Sequence, residues 1–322
     1  MERTMSKNSS KLLIKTTISF AAVVILILLT FYWSILSGGV KVSLSQLFRG
    51  LFVEYDRDVA IIYDLRFPRV FVALIGGAVM AVSGVLMQAV MKNPLAEPGI
   101  TGVSSGAAFA SALLVAFVPA LSFLTPLASF TGGMTAFCLV FMLSWNKGLS
   151  PIRIVLVGIA INTMFTGLAS AFGAVTGGAY TGAQEIVNAN ISLKTWSDVK
   201  IIGIYGIVGF ILSVLVSKRC NLLSLSDETV GSLGVNVTRS RFLISCLSVM
   251  LASVFTSVIG PVSFLGLIVP HCARLLVGSD HRVLVPFSAL LGAFVFLLAD
   301  TVGRVIAYPY EISASILMAV VG

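Results

Sequence analysis

Charged side chains are scarce in this chain of 322 residues. Asp, Glu, Lys and Arg together make up 11% of the sequence, whereas apolar residues make up 57%. Soluble domains carry roughly 25% charged residues, and the mean hydropathy here is +1.04. This composition excludes an ordinary soluble domain, and the polar segments between apolar runs are too short to fold as a second one. We therefore expect an all-α integral membrane protein whose residues 1–322 form a single transmembrane domain.

Motifs for catalysis, nucleotide binding and metal binding are also missing. The sequence has no GxxxxGKS or GxxxxGKT phosphate loop, no HExxH pair and no paired catalytic carboxylates. It has two histidines and four cysteines, and no cysteines with CxxC spacing. We expect neither an enzyme nor a cofactor or metal site in this chain. Any ATP that drives the protein must be hydrolysed by another chain.

Apolar segments dominate what is present, and a membrane span needs about 20 such residues. Long apolar stretches predict about ten transmembrane helices, of which the eighth and tenth are short. They lie near 12–36, 69–91, 99–118, 123–144, 151–174, 199–217, 241–259, 263–277, 283–303 and 311–322.

The formal net charge of +8 raises the question of a nucleic-acid partner. The basic residues, however, lie at span ends rather than in one patch. With the N-terminus in the cytoplasm, the cytoplasmic segments hold 13 of the 21 Lys and Arg residues, as the positive-inside rule favours. We predict a multi-pass protein of a bacterial cytoplasmic membrane, with a cytoplasmic N-terminus and no nucleic-acid partner.

Two proline–glycine breaks interrupt the apolar pattern. Asn93-Pro-Leu-Ala-Glu-Pro-Gly99 follows the second span on the predicted inner side, and Gly260-Pro-Val-Ser-Phe-Leu-Gly266 follows the seventh on the predicted outer side. Lipid offers an irregular backbone no hydrogen-bond partners, so such breaks occur where protein or a water-filled cavity surrounds them. Their opposite placement indicates an inverted repeat near a transport route.

Polar residues within the spans are candidates for the lining of that route. They are Gln88 in the second span and Asn162, Thr163 and Thr166 in the fifth. Ion-coupled carriers usually place ionisable groups at depth. Asp300 is the deepest acid, and we expect it to pair with Arg304 one helical turn later. The absence of an intramembrane acidic pair weakens the alternative of an ion-coupled secondary carrier.

The loop 218–241 contains a predicted short helix. Ser226 can cap it, Asp227 and Glu228 suit its first turn, and Gly231 and Gly234 end it. Leu225, Val230 and Leu233 form a small apolar face. Such a helix suits docking into a groove of a cytoplasmic partner, although it could also lie on its own bundle.

Arg66, Arg69 and Arg304 lie near the predicted outer ends of two spans. The planar guanidinium group binds carboxylates through two parallel hydrogen bonds. These arginines could therefore hold an acidic partner or an anionic ligand. The alternative is that they anchor the spans at the membrane interface with snorkelling side chains.

With these residues identified, the chain resembles the permease family of bacterial ABC importers for ferric siderophores, haem and cobalamin, the FecCD type of type II importers. The resemblance spans nearly the whole sequence. Its most specific parts are the two proline–glycine breaks, with further matches at Asp64–Arg69, Ser83–Gln88, Leu223–Gly234 and Leu298–Arg304.

The resemblance implies ten helices per permease, a second permease subunit, two cytoplasmic ATPase subunits that bind ATP and Mg, and an extracytoplasmic substrate-binding protein. It implies that Arg66, Arg69 and Arg304 dock the binding protein. It also implies a cytoplasmic gate and an ATPase-coupling helix. The gate residues are Asn93, Leu95, Leu149 and Ser150, and the coupling residues are Leu225, Asp227, Glu228, Val230, Leu233 and Gly234.

We expect the ligand to be a ferric siderophore, with haem and cobalamin as alternatives, and the two permeases to be different chains. Relatives of this type continue through a longer tenth helix. A segment from Glu311 to Gly322 spans about 18 Å at 1.5 Å per residue, so we also expect a longer C-terminus in the intact protein.

Overall fold

The structure is a computed structural model that describes residues 2–38, 42–144, 151–176, 182, 186–189, 191–307 and 310–322. These residues contain helices and no strand. The helices are α1 (Glu2–Leu36), α2 (Leu44–Phe52), α3 (Arg57–Met91), α4 (Val103–Phe117), the 3-10 helix η1 (Pro119–Leu124), α5 (Thr125–Ser144), α6 (Pro151–Val175), α7 (Trp196–Leu223), α8 (Asp227–Ser232), α9 (Val237–Ile259), α10 (Leu265–Val277), α11 (His281–Ile306) and α12 (Ala314–Val321).

Seven helices of the described residues are long and apolar enough to cross a membrane, namely α1, α3, α5 with η1, α6, α7, α9 and α11. Two apolar helices are shorter: α4 has 15 residues and α10 has 13. At 1.5 Å per residue they reach about 22 and 20 Å, less than the roughly 30 Å of a bilayer core. Together with α12, these elements correspond to the ten predicted spans and confirm an all-α membrane protein.

The second span begins earlier than the apolar pattern predicts. Its charged first turns hide it from a hydropathy criterion, yet α3 already begins at Arg57 because Asp56 caps it, accepting hydrogen bonds from the backbone N–H groups of Asp58 and Val59. The nine-residue helix α2 was not predicted. Ser43 caps α2 by accepting from the N–H of Gln46 at 3.2 Å.

Helices α3, α9 and α11 form the centre of the bundle, whereas α1, α6 and α7 are largely exposed. Small residues allow the central helices to approach closely, because packing within a membrane depends on contact rather than on a hydrophobic drive. Gly77 of α3 lies against the backbone of Gly292 in α11. Ser83 of α3 and Ser248 of α9 donate to each other's carbonyl oxygens at 2.6 and 2.8 Å.

The two predicted breaks contact each other within the bundle, so the second break does not lie at the opposite membrane surface from the first, as the sequence predicted. A Cβ added to Gly99 would lie 3.5 Å from the Cα of Ser263, and Gly84 contacts the backbone of Gly266. Gly84 lies about two helical turns before the end of α3. The 92–102 segment therefore folds back beside α3, and the 260–264 turn lies within the bundle. Both α4 and α10 are short because each begins at such a break.

Candidate functional site

Hydrogen bonds between distant segments define two ends of the bundle. At one end, called the inner end, Lys15 donates to the carbonyl of Leu275 at 2.9 Å, and Asn221 donates to Asp280 at 2.7 Å. The loops 92–98, 218–241 and 274–282 meet there. At the other end, called the outer end, Arg304 contacts Ser34 near the end of α1. The two candidate sites occupy these opposite ends.

The short helix predicted in the loop 218–241 exists as α8, and its predicted apolar face is divided. Ser226 caps α8 by accepting from the N–H of Thr229. Val230 is fully buried against the protein's own bundle, whereas the side chains of Leu225 and Leu233 are 43% and 59% exposed. Gly234 has φ of +75° and so ends the helix in the left-handed region. The surface left for a partner is therefore formed by Leu225 and Leu233.

Asp227 faces the bundle as well as solvent, and it links α8 to two other helices. Its Oδ1 accepts from Lys92 Nζ at 2.8 Å and from Arg241 of α9 at 2.9 Å. Lys92 also donates to the carbonyl of Leu225. The hydrogen bond from Lys92 is the largest cause that lowers the pKa of Asp227; burial opposes it, and the charge of Arg241 adds a smaller lowering effect. Glu228 is exposed.

Lys92 belongs to the candidate site at the inner end, and the sequence reasoning missed it. It terminates α3 in the left-handed conformation, with φ of 48°. It immediately precedes the predicted gate residue Asn93, whose Oδ1 accepts from the N–H of Leu95 at 2.9 Å. Leu95 is 62% exposed at the inner end. Lys92 thus connects α8 directly to the segment after α3 that holds the predicted gate residues Asn93 and Leu95, called the gate segment. The sequence feature that could have identified Lys92 is its position as a basic residue directly before the first break.

The predicted gate residues Leu149 and Ser150 lie outside the described residues. The predicted pathway residues do not share one surface. Gln88 is buried and donates to the carbonyl of Gly266 at 3.3 Å. Thr163 and Thr166 lie on the exposed face of α6, and Asn162 beside them is half-buried.

At the outer end, Arg69 is buried and binds two carboxylates. Its Nε donates to both oxygens of Asp300 at 3.1 Å, and its Nη2 donates to Oδ1 of Asp300 at 2.8 Å. Its Nη1 donates to Oε2 of Glu311 at 2.8 Å. Asp300 is 1% exposed, and Arg304 Nε lies 3.4 Å from its Oδ2, which confirms the predicted pair. The fork of Arg69 is therefore occupied in this conformation.

The other two arginines bind α1. Arg66 donates to the carbonyl of Ile35 at 2.7 Å, and Arg304 donates to the carbonyl and hydroxyl oxygens of Ser34. Glu311 also accepts from Ser192 at 2.8 Å and is partly exposed. A cavity of about 340 Å³ lies beside Arg69, Asp300 and Glu311. The outer end thus presents a positively charged cluster that its own carboxylates largely neutralise.

Comparison with known proteins identifies the family. A sequence profile of the FecCD transport family matches residues 25–322. The chain belongs to the FecCD transport family. It is 39% identical over 326 aligned positions to the "Probable heme-iron transport system permease protein IsdF" of Staphylococcus aureus strain Newman, covering 99% of this chain and 95% of that protein. The homologous proteins of strains Mu3 and MSSA476 show the same identity and coverage.

Solved structures agree with the FecCD assignment. "An inward-facing conformation of a putative metal-chelate type ABC transporter" matches with a TM-score of 0.80 and 29% identity, covering 95% of this chain and 96% of that one. PsaBC of Streptococcus pneumoniae, solved with a Fab, matches with a TM-score of 0.59 at 16% identity, covering 86% of this chain and 92% of that one, and so supports the fold alone. This FecCD protein is therefore a multi-pass permease of an ABC importer.

Proposed function

We propose that this permease imports an iron-containing chelate and that haem is the first ligand to test. The observation that carries the ligand class is the near full-length similarity to proteins named as probable haem-iron permeases. That similarity does not support the sequence-based preference for a ferric siderophore. A siderophore remains the second candidate because the matching solved structure is described as a metal-chelate transporter.

We propose that ATP hydrolysis takes place in two separate cytoplasmic subunits, which bind the ATP and Mg. Their docking surface on this chain is the exposed pair Leu225 and Leu233, which flank α8. Two exposed leucines beside a capped helix suit a groove on a partner. The Lys92–Asp227 contact then transmits movement of α8 to Asn93 and Leu95. The inner end accordingly faces the cytoplasm, together with the N-terminus.

We propose that the ligand passes between this chain and a second permease, which we expect to be a different chain. Thr163 and Thr166 expose hydroxyl groups on a face of α6 that would otherwise meet lipid. Thr163 already donates to the carbonyl of Ile159 at 2.9 Å, so the exposed hydroxyl of Thr166 carries the argument. Such a group suits a protein or water neighbour better than hydrocarbon, where polar groups need partners. The exposed polar face of α6 therefore supports a route along this contact between permeases.

We propose that an extracytoplasmic binding protein docks at the outer end. Its acidic residues would approach Arg66 and Arg304 first. They could reach Arg69 only by displacing Glu311, because Asp300 holds the other edge of that guanidinium group. Charge complementarity of this kind chiefly guides the encounter and its register.

The test is uptake by cells that lack this permease, with and without the restored protein, supplied with radioactive iron as haem or as ferric siderophores, and with labelled cobalamin. We expect restored uptake of haem and no restoration by a Leu233→Ser variant that reaches the membrane in equal amount. Restoration for one siderophore alone would replace haem by that ligand. Uptake that follows an ion gradient and persists without the ATPase subunits would overturn the proposal in favour of a secondary carrier.

A further inference from the structure

Glu97 lies in the first break and is fully buried without a hydrogen-bond partner for either carboxylate oxygen. No ion pair with any described residue involves it. Asp300 is almost as deeply buried, but it contacts two arginines. A buried carboxylate with no such partner is strongly disfavoured, unless its surroundings compensate for the burial or the group takes up a proton.

The start of α10 provides that compensation. The first backbone N–H groups of a helix have no partner within the helix, and they make its N-terminus electropositive. Phe264 precedes α10 with φ of 69° and supplies no side-chain cap. The carboxyl group of Glu97 lies near the N–H groups of Gly266 and Phe264, although neither contact meets the geometric criteria of a hydrogen bond. A carboxylate from a distant part of the chain thus occupies the place of the missing cap.

The packing around Glu97 leaves little room for independent movement. A Cβ added to Gly266 would lie 3.3 Å from Glu97 Cγ, and one added to Gly99 would lie 3.4 Å from Glu97 Oε1. Gln88 of α3 donates to the carbonyl of the same Gly266. The first break is therefore held against the start of α10 both by shape and by the carboxylate.

We propose that Glu97 is a positioning residue that couples the gate segment to α10, so that the two move together when α8 moves. Lys92 fastens one end of this segment to α8, and Glu97 fastens its other end to α10. The inference rests on the coupling route proposed above but does not depend on which ligand is carried.

Two reporter positions separate this role from a purely structural one. Leu95 is 62% exposed in the gate segment, and Ser263 is exposed beside the start of α10. Single cysteines at these positions, in a chain whose four native cysteines are replaced by alanine, are labelled with a maleimide in the full transporter with and without ATP. In the otherwise native chain, we expect ATP to change both labelling rates. With Glu97→Gln, we expect the change at position 95 to persist and the change at position 263 to fall about tenfold, as loss of a carboxylate from a buried helix N-terminus predicts.

Glu54→Gln is the matched control, because Glu54 is an exposed acid with no assigned role. It should leave both ATP-dependent changes intact. Equal changes at both positions in Glu97→Gln would overturn the proposal. If ATP changes neither rate in the native chain, the coupling route itself fails, which distinguishes that outcome from failure of the Glu97 role.

A cross-link tests the same inference when Glu97→Gln does not assemble. The pair Gly99→Cys and Ser263→Cys places two thiols at neighbouring backbones. Because the two segments are proposed to move as one body, we expect the ATP-dependent labelling change at position 95 to remain above about half of its native size after oxidation. Loss of one charged contact would instead reduce this change about tenfold. Abolition of that change on oxidation, with recovery on reduction, would show that the segments must separate and would overturn the proposal.

Discussion

The two ends of this permease use the same kinds of charged side chain in opposite ways. At the outer end, Arg69 and Asp300 are 8% and 1% exposed, and several hydrogen bonds join them. At the inner end, Lys92 and Asp227 are 33% and 51% exposed, and one hydrogen bond joins their side chains. Breaking a buried pair costs far more than breaking an exposed one. The outer cluster therefore holds helices α3 and α11 together, whereas the inner contact contributes little to stability and suits the coupling proposed above.

The largest expected effect comes from breaking the outer cluster. Arg69→Met leaves Asp300 and Glu311 without their shared partner, and removing one member of a buried pair costs about 3–5 kcal/mol. We expect a large decrease in the midpoint of thermal unfolding of the purified protein. Arg49→Met makes the same change at an exposed position of α2 and should shift stability by no more than about 0.5 kcal/mol. Equal melting of the two variants would contradict the distinction between the ends.

The next effect concerns the inner surface that is left for a partner. Leu233→Ser removes an exposed leucine without opening a cavity, so the thermal midpoint should remain unchanged. An interface side chain that matters for binding costs more than about 1 kcal/mol when truncated, and tenfold corresponds to about 1.4 kcal/mol, so we expect roughly tenfold weaker co-purification of the ATPase subunits. Glu54→Gln at the outer end is the control. Unchanged co-purification would show that α8 is not the docking surface.

A smaller effect is expected from the inner contact itself. Lys92→Gln removes an exposed ion pair, which contributes less than about 1 kcal/mol to stability, so the thermal midpoint should hardly change. Transport per ATP hydrolysed should nevertheless fall, by about two- to fivefold, because the gate segment loses its connection to α8. Arg241→Gln breaks the other contact of Asp227 but does not touch the gate. A greater loss in Arg241→Gln than in Lys92→Gln would rule out the proposed route.

The sequence allowed the ten apolar spans, the short helix α8 and the Asp300–Arg304 pair to be predicted, since each depends on local composition or on spacing within one helix. It did not allow the partners of Arg69 to be predicted, because Glu311 lies 242 positions away and only the packed bundle brings the two residues together. The two breaks were assigned to opposite surfaces for a related reason. Hydropathy identifies where a helix stops, but not whether the chain then folds back into the bundle, as residues 92–102 do.

The smallest expected effect is that of pH on the inner contact, where we expect no change over the range tested. Lys92 and Arg241 lower the pKa of Asp227 below its ordinary value of 3.8. A lowered pKa means that the ionised carboxylate, and the link it makes, are present above that ordinary value and are lost only as the pH falls through the lowered one. The ratio of transport per ATP between the native protein and Lys92→Gln should therefore stay constant from about pH 5.5 to 8, well above the ordinary pKa of Asp. A ratio that approaches one within that range would mean that another titrating group governs the link, and that the contact between Lys92 and Asp227 does not transmit the motion of α8.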